Sequence, residues 1–174
     1  MMNYADIKNV DVANGKGVRV SLFVSGCTRG CPECFNKEAQ DFNYGKPFTD
    51  NELNYILELL KPDYVDGLSL LGGEPLEYKN QVGILPLVKK IKELYPDKTI
   101  WCYTGNTFES DVLGTMFKKY KETKELFNYI DVLVDGDFQV ENKDLTIKFR
   151  GSNNQRIIDI PESLKQKKTI LLDI

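Results

Sequence analysis

The stretch VRVSLFVSGCTRGCPECFN, residues 18–36, joins two features that decide how the rest of the chain is interpreted. Its first part, residues 18–25, is apolar and rich in β-branched side chains, which predicts a buried strand. Its second part places Cys27, Cys31 and Cys34 among glycine, proline and charged residues, a composition typical of loops. The three cysteines are therefore expected in a loop at the carboxyl end of a strand.

Three later apolar runs repeat this arrangement. Residues 67–73, 98–105 and 129–136 each predict a strand, and each run closes on glycine. The segments between the strands have apolar residues at helical spacing, and Thr49 and Glu52 have the spacing of a capping box before the first helix. Alternating strands and helices predict an α/β fold with a mostly parallel sheet, in which ligand sites collect at the carboxyl ends of the strands.

The remainder of the chain is less regular. Residues 137–160 predict a polar loop, a short strand, a turn at residues 151–154 and a final strand. Residues 161–174 form a tail without a readable signal. A chain of 174 residues is long enough for one well-buried core and short for two, so we expect a single domain over residues 1–174.

The charge of the chain excludes one class of partner. The formal net charge is −3, whereas nucleic-acid binding depends on many Lys and Arg side chains that neutralise phosphates. In the lysine-rich segment 118–125, lysines alternate with glutamates, which predicts a solvated helix face. We therefore expect no nucleic-acid partner.

The distribution of apolar residues predicts where the protein works. No apolar run approaches the roughly 18 residues of a membrane span, and the first residues lack the apolar stretch of a secretory signal. We therefore expect a cytoplasmic protein without a membrane partner. In that reducing compartment, clustered cysteines bind metals or do chemistry more often than they form structural disulfides.

Several kinds of site use closely spaced cysteines. Structural zinc normally needs a fourth ligand, but the chain has no histidine and its fourth cysteine, Cys102, stands alone about 70 residues later. A disulfide would leave one of the three thiols unpaired, and burial as small apolar side chains conflicts with the loop composition. These alternatives stay open, but the pattern favours an iron–sulfur cluster, whose usual ligands are thiolates. A four-iron cube with three protein thiolates has one iron left for a substrate.

Two motifs carry a family resemblance. The pattern C-x3-C-x2-C followed by Phe35, with GGEP at residues 72–75 after the next strand, resembles the radical S-adenosylmethionine enzymes. Across roughly residues 3–160, the chain is similar to the activating proteins of anaerobic ribonucleoside-triphosphate reductases in the segments LFVSGC, CPECFNK, LSLLGGEPL, IWCYTG, DVLVDGDF and FRGSNNQRIID. The resemblance implies an incomplete parallel βα barrel of the radical S-adenosylmethionine type.

The resemblance also implies the cofactors, the reaction and the partners. A 4Fe-4S cluster would bind S-adenosylmethionine at its open iron, and the reduced cluster would cleave it to a 5′-deoxyadenosyl radical. That radical would take a hydrogen atom from the Cα of a glycine in the large subunit of the reductase. A donor such as a flavodoxin would supply the electron. This chemistry needs few acid or base side chains, which agrees with a chain without histidine.

The resemblance assigns roles to the cysteine loop. Cys27, Cys31 and Cys34 would ligate the cluster. Backbone groups of Glu33, Cys34 and Phe35 would pass beside the adenine of S-adenosylmethionine. The ring of Phe35 would give the adenine an apolar wall.

The later strand ends would hold the rest of S-adenosylmethionine. Gly72 and Gly73 would let the main chain approach the methionine ammonium, and the Glu74 carboxylate would accept its hydrogen bonds. A plain strand-ending turn is the alternative for this motif. Asp135 would contact the ribose, and an ordinary Asp-Gly turn is the alternative there. Residues 151–154 would also face the cofactor.

Two further residues have simpler interpretations. Cys102 lies in the middle of a predicted strand, so we expect a buried structural residue instead of a ligand. Arg29 lies between the first two cysteines, where its charge could tune a cluster, but a solvated loop arginine is the simpler expectation.

Two other functions stay open at this point. The chain could activate a different glycyl-radical enzyme, although neither a second set of clustered cysteines nor an additional βα element is visible. It could also be a non-catalytic interaction module in which the cysteines clamp a metal ion.

Overall fold

A computed structural model describes residues 1–174 and contains a seven-stranded mixed sheet. The strands are β1 (Asn3–Asp11), β2 (Arg19–Val24), β3 (Lys46–Pro47), β4 (Gly67–Gly72), β5 (Thr99–Tyr103), β6 (Val132–Asp135) and β7 (Arg156–Asp159). Their order across the sheet is β3-β1-β2-β4-β5-β6-β7.

The centre of the sheet is parallel and its edges are antiparallel. Strands β2, β4, β5 and β6 pair in parallel, whereas β1, β3 and β7 pair antiparallel with their neighbours. All four strands expected from the apolar runs are present, each slightly shorter than predicted, and β7 confirms the final strand. The α/β class and the parallel centre are therefore confirmed, while the sheet itself is open at two antiparallel edges.

Helices connect the parallel strands as expected, and one further helix follows β7. They are α1 (Asp50–Leu59), α2 (Tyr78–Leu94), α3 (Phe117–Lys119), α4 (Lys121–Leu126) and α5 (Ile160–Gln166), with a π-helical segment at Phe108–Met116. Thr49 and Glu52 form the predicted capping box at the start of α1. No helix is both long enough and apolar enough to cross a membrane.

Side chains alternate along each strand between two faces of the sheet, and both faces contain buried residues. The face covered by helices is an apolar core that includes Leu22, Leu70 and Cys102. On the opposite face, Arg19 is buried, and its guanidinium donates to the Ser69 hydroxyl at 2.8 Å and to the Thr99 carbonyl at 2.8 Å. Arg19 thus links β2 to the neighbouring strands β4 and β5 on this face.

The last third of the chain departs from the prediction in two places. The prediction of a short strand before the turn at residues 151–154 is wrong. Residues 143–151 form mostly turns, and the single bridge in this region pairs Lys143 with Ser152. The tail does have structure: α5 is followed by a return along β7, where the Leu172 amide donates to the Ile157 carbonyl at 2.8 Å. The tail therefore covers the exposed edge of β7.

Candidate metal and cofactor site

The cysteine loop, residues 27–40, leaves the carboxyl end of β2 and closes on itself. The amides of Gly26 and Cys27 donate to the carbonyls of Ala39 and Gln40, at 2.7 and 3.0 Å. Within the loop, the Cys34 amide donates to the carbonyl of Cys31 at 3.3 Å. The loop thus has a fixed base, and its three cysteines are half-buried between that base and solvent.

The paired glycines at the end of β4, Gly72 and Gly73, have a packing role that the sequence did not reveal. Gly72 has a φ of +108°, which favours glycine, and a Cβ on Gly73 would lie 2.6 Å from the Gly26 carbonyl oxygen and 2.7 Å from that of Ala39. The Glu74 amide donates to the Gly26 carbonyl at 2.8 Å. These glycines therefore let the end of β4 pack directly against the base of the cysteine loop.

Glu74 joins the ends of two parallel strands. Its buried carboxylate accepts hydrogen bonds from the Thr104 hydroxyl at 2.7 Å, the Gly105 amide at 2.8 Å and the Leu76 amide at 2.9 Å. Burial raises the pKa of the Glu74 carboxyl, and these hydrogen bonds oppose the rise. Protein donors therefore already engage this carboxylate, and its contact with a methionine ammonium stays a prediction.

Asp135 is buried behind the cleft. Its carboxylate accepts from the Phe108 amide at 2.9 Å and pairs with Arg156 at 2.5 Å. Arg156 also pairs with Glu109 at 2.8 Å. Asp135 does not line the cleft, so its contact with a ribose stays a prediction that this geometry does not favour.

A cleft of about 480 Å³ lies at the carboxyl ends of the parallel strands. This volume falls in the range of small-molecule sites. The three cysteines line it together with other predicted site residues, which are Phe35, Gly72, Gly73 and Glu74. Glu33 and Asp135 do not line it. Phe35 is 69% exposed, and its ring packs at 4.9 Å from that of Phe138.

Several cleft residues have no signal in the sequence that identifies them. The opposite wall is apolar, formed by Phe138, Leu145, Ile147 and Phe149. Tyr103 and Arg150 also line the cleft, and the Tyr103 hydroxyl and Arg150 Nε are buried without a hydrogen-bond partner. Buried polar atoms normally have partners, so these two are suited to the polar groups of a bound molecule. Apolar walls with a few polar groups fit an organic cofactor.

Two of the three thiols have raised pKa values, so they are protonated at neutral pH when no metal is bound. Burial raises the pKa of Cys27, and burial together with the Asp137 carboxylate raises that of Cys31 to about 11. Metal binding would therefore release protons from these thiols. No three acidic or thiol side chains surround one common point for a single ion. A four-iron cluster takes one thiolate per iron and does not require such a point, so the donor set fits the cluster.

Two expectations about single residues have opposite outcomes. Cys102 is completely buried in β5, which confirms its structural interpretation. Arg29 is not a solvated loop arginine: its guanidinium pairs with Asp137 and donates to Asn106 at 3.1 Å. The sequence could not reveal this pair because Asp137 follows Arg29 by 108 residues.

Comparisons with known proteins identify the family of the chain. The family model described as "4Fe-4S single cluster domain" matches residues 13–158. The chain is 40% identical over 158 residues to the anaerobic ribonucleoside-triphosphate reductase-activating protein of Pasteurella multocida, covering 90% of this chain and 96% of that protein.

Proteins with the same name from other sources show similar identity to the chain. The relative in Escherichia coli strain K12 is 40% identical over 156 residues, covering 88% of this chain and 96% of the relative. The relative in enterobacteria phage T4 is 38% identical over 158 residues, covering 90% of this chain and 93% of the relative. The chain therefore belongs to the 4Fe-4S single cluster domain family and to the family of anaerobic ribonucleoside-triphosphate reductase-activating proteins.

Proposed function

We propose that this chain is a radical S-adenosylmethionine enzyme that installs a glycyl radical on an anaerobic ribonucleoside-triphosphate reductase. The observation that carries the proposal is the position of three half-buried thiols on the wall of a cleft large enough for an organic cofactor. The names of the relatives support the reductase as the partner. The large subunit of the reductase would supply the glycine.

Cys27, Cys31 and Cys34 would hold a 4Fe-4S cluster, leaving one iron without a protein ligand. The bound, reduced cluster would supply the one electron that cleaves S-adenosylmethionine into methionine and a 5′-deoxyadenosyl radical, and this radical would take a hydrogen atom from a glycine Cα to leave 5′-deoxyadenosine and a glycyl radical. The chain's own residues would hold and orient the two cofactors. The closed base of the cysteine loop limits how far the thiols can move, which supports this role.

The cleft would bind S-adenosylmethionine along the ends of the parallel strands. The main chain of Gly72 and Gly73 would lie beside the methionine ammonium, with Glu74 holding the neighbouring loops in place. Backbone groups of Glu33 and Cys34 and the ring of Phe35 would lie beside the adenine. Phe35 is mostly exposed, so a bound adenine would cover an apolar ring that otherwise contacts water.

Arg150 and Tyr103 would complete the polar contacts of the cofactor. Their buried atoms without partners lie on a cleft wall that is otherwise largely apolar. A guanidinium N–H suits a carboxylate, and a phenol hydroxyl either donates or accepts. Asp135 stays a weaker candidate for the ribose because Arg156 and the Phe108 amide already engage its carboxylate.

The fold would be an incomplete parallel βα barrel of the radical S-adenosylmethionine type. The parallel order β2-β4-β5-β6 and the burial of Arg19 on the face opposite the helices support this interpretation. The protein would act as one domain over residues 1–174 in the cytoplasm, with a donor such as a flavodoxin and without nucleic-acid or membrane partners. The tail at residues 161–174 would complete the edge of β7.

Anaerobic reconstitution with iron and sulfide tests the proposal. We expect a brown protein with about four irons per chain that cleaves S-adenosylmethionine to 5′-deoxyadenosine when reduced. Electron paramagnetic resonance should then detect a glycyl radical on the added reductase. Cleavage without that radical would favour a different glycyl-radical enzyme as the partner. A colourless protein that retains one zinc ion would favour the non-catalytic module.

A further inference from the structure

We propose that Arg29 and Asp137 form a positioning pair. The pair would fix the tip of the cysteine loop, residues 29–35, against the ends of β5 and β6. In this way the pair would set the position of the Cys31 thiol before a cluster binds. The inference rests on the proposed function in one respect, the assignment of the three cysteines as cluster ligands. It adds two residues for which the comparisons assign no role.

The pair has the geometry of a specific two-point contact. Arg29 Nε lies 2.5 Å from Asp137 Oδ1, and Arg29 Nη2 lies 2.7 Å from Asp137 Oδ2. Arg29 Nη1 also donates to Asn106 Oδ1 at 3.1 Å. A planar guanidinium with parallel hydrogen bonds to a carboxylate fixes direction as well as distance. A surface pair with a single contact would not do so.

The tip of the cysteine loop has few other attachments. Thr28 is held by Glu77, to which its amide donates at 2.8 Å. From residue 29 to residue 35, every hydrogen bond to the rest of the chain goes to Asp137 or Asn106. Phe35 makes the other contacts of the tip: its ring packs on that of Phe138, and Lys143 Nζ lies 5.8 Å from its centroid. Removing the Arg29–Asp137 pair would therefore release the tip that carries Cys31 and Cys34.

Gly105 shows that the fold makes room for this pair. A Cβ on Gly105 would lie 2.5 Å from Arg29 Nε and 2.8 Å from Asp137 Oδ1. The glycine that follows β5 therefore allows the arginine side chain to cross the end of that strand. Glu74 accepts a hydrogen bond from the amide of the same glycine, which fixes the surface on which Arg29 rests.

Asp137 also reaches one of the proposed ligands directly. The Cys31 thiol donates to Asp137 Oδ1 at 3.4 Å, on the same oxygen that pairs with Arg29 Nε. One carboxylate thus orients both the guanidinium and the thiol. With a cluster bound, the guanidinium would lie beside a negatively charged group and offset its repulsion from Asp137.

The test compares iron retention in reconstituted holoprotein variants. Groups that orient metal ligands typically change metal affinity by about 10- to 100-fold when they are removed. We expect Arg29→Gln and Asp137→Asn to lose iron to a chelator at least about tenfold faster than the wild type. The exchanged pair, Arg29→Asp with Asp137→Arg, should recover most of this loss. Lys37→Gln is the control, because it removes a positive charge near the cysteines without breaking an ion pair.

A second measurement does not depend on the cluster. In metal-free protein, we expect an endopeptidase specific for glutamate to cut after the exposed Glu33 faster in Arg29→Gln and Asp137→Asn than in wild type or Lys37→Gln. Thermal unfolding would show that the variants remain folded. Iron loss and cleavage at wild-type rates in both variants would overturn the inference. If the wild type bound no iron, the proposed function would fail, while faster cleavage in the variants would still support the pair.

Discussion

The two cysteine environments of this chain differ in backbone, exposure and surroundings. Cys27, Cys31 and Cys34 are half-buried in a loop at the carboxyl end of β2, and all three line the cleft. Cys102 is completely buried in β5, on the face of the sheet that packs against the helices. The same side chain therefore serves as a candidate ligand in one place and as a small apolar core residue in the other. A cysteine beyond the end of a strand can reach the cleft, whereas a cysteine within the strand packs in the core.

The loop also depends on close contacts with distant parts of the chain that Cys102 does not need. Gly73 brings the end of β4 against the base of the loop, and Arg29 brings the tip of the loop against Asp137. The cysteine pattern is thus placed by residues distant in the sequence. Four substitutions test this difference between the two environments, in decreasing order of expected effect.

Cys31→Ala should abolish cluster retention, because it removes one of only three proposed thiolate ligands. Iron and sulfide analysis after anaerobic reconstitution and desalting measures the effect. The far-ultraviolet circular dichroism of the metal-free variant should match that of the wild type. A variant that still holds about four irons per chain would refute the ligand assignment.

Gly73→Ala should disturb the loop without removing a ligand. The added Cβ would meet the backbone of Gly26 and Ala39, and overpacking of this kind typically costs about 1–3 kcal/mol. We expect a lower free energy of unfolding together with reduced iron content. Gly30→Ala is the control: its φ of +62° disfavours alanine, but no atom lies within 4 Å of the added Cβ. Equal iron loss in the control would mean that close packing at Gly73 is not the cause.

Cys102→Ala should lower the free energy of unfolding by about 1 kcal/mol, as expected for removing one buried atom from a core. Iron content should stay close to that of the wild type. Denaturant unfolding of the metal-free protein and iron analysis of the reconstituted protein measure the two quantities. Iron loss as complete as in Cys31→Ala would break the contrast between the two environments.

Glu109→Gln should change stability slightly and leave the cluster intact, because neither Glu109 nor Arg156 lines the cleft. Hydrogen bonds from Arg156 hold the pKa of Glu109 at about 2, below its ordinary value of 4.5. A carboxyl whose pKa is lower in the folded than in the unfolded state stabilises the folded state at pH values above 4.5. This contribution is lost as the pH falls from 4.5 toward 2. Because the Glu109 side chain is 50% exposed, the effect is about 1 kcal/mol or less.

Unfolding of the metal-free protein at several pH values measures this contribution. The difference in free energy between wild type and Glu109→Gln should be largest near pH 7 and should shrink between pH 4.5 and about 2. A difference that grows toward acid pH would contradict the sign. Reduced iron content in this variant would mean that the Glu109–Arg156 pair affects cluster binding, which its position outside the cleft does not predict.

The parallel centre of the fold could be predicted because its strands are buried on both faces and therefore read as continuous apolar runs. Strand β1, which lies between β3 and β2, was missed, since only Asp11 of its sequence NYADIKNVD is buried and two irregularities in register interrupt its alternation. Helix α5 did carry a signal that was overlooked: Asp159 caps it and Pro161 lies in its first turn.

Most of the predicted site residues line the cleft, whereas the contacts that support them were less predictable. The cysteine spacing and GGEP are local patterns, so Cys31 and Gly73 could be identified from the sequence alone. The Arg29–Asp137 pair and the burial of Asp135 depend on where the strand ends meet in space. Local patterns carry no information on such contacts, which is why Arg29 was expected in solvent and Asp135 in the cleft.

The central claim is that three protein thiolates leave one iron of the cluster open to S-adenosylmethionine. The most direct test is the electron paramagnetic resonance spectrum of the reduced, reconstituted wild-type protein, recorded before and after S-adenosylmethionine is added. We predict a clear change in the spectrum at about four irons per chain, because the cofactor would occupy the open iron. A spectrum from the same iron content that S-adenosylmethionine leaves unchanged would contradict the claim.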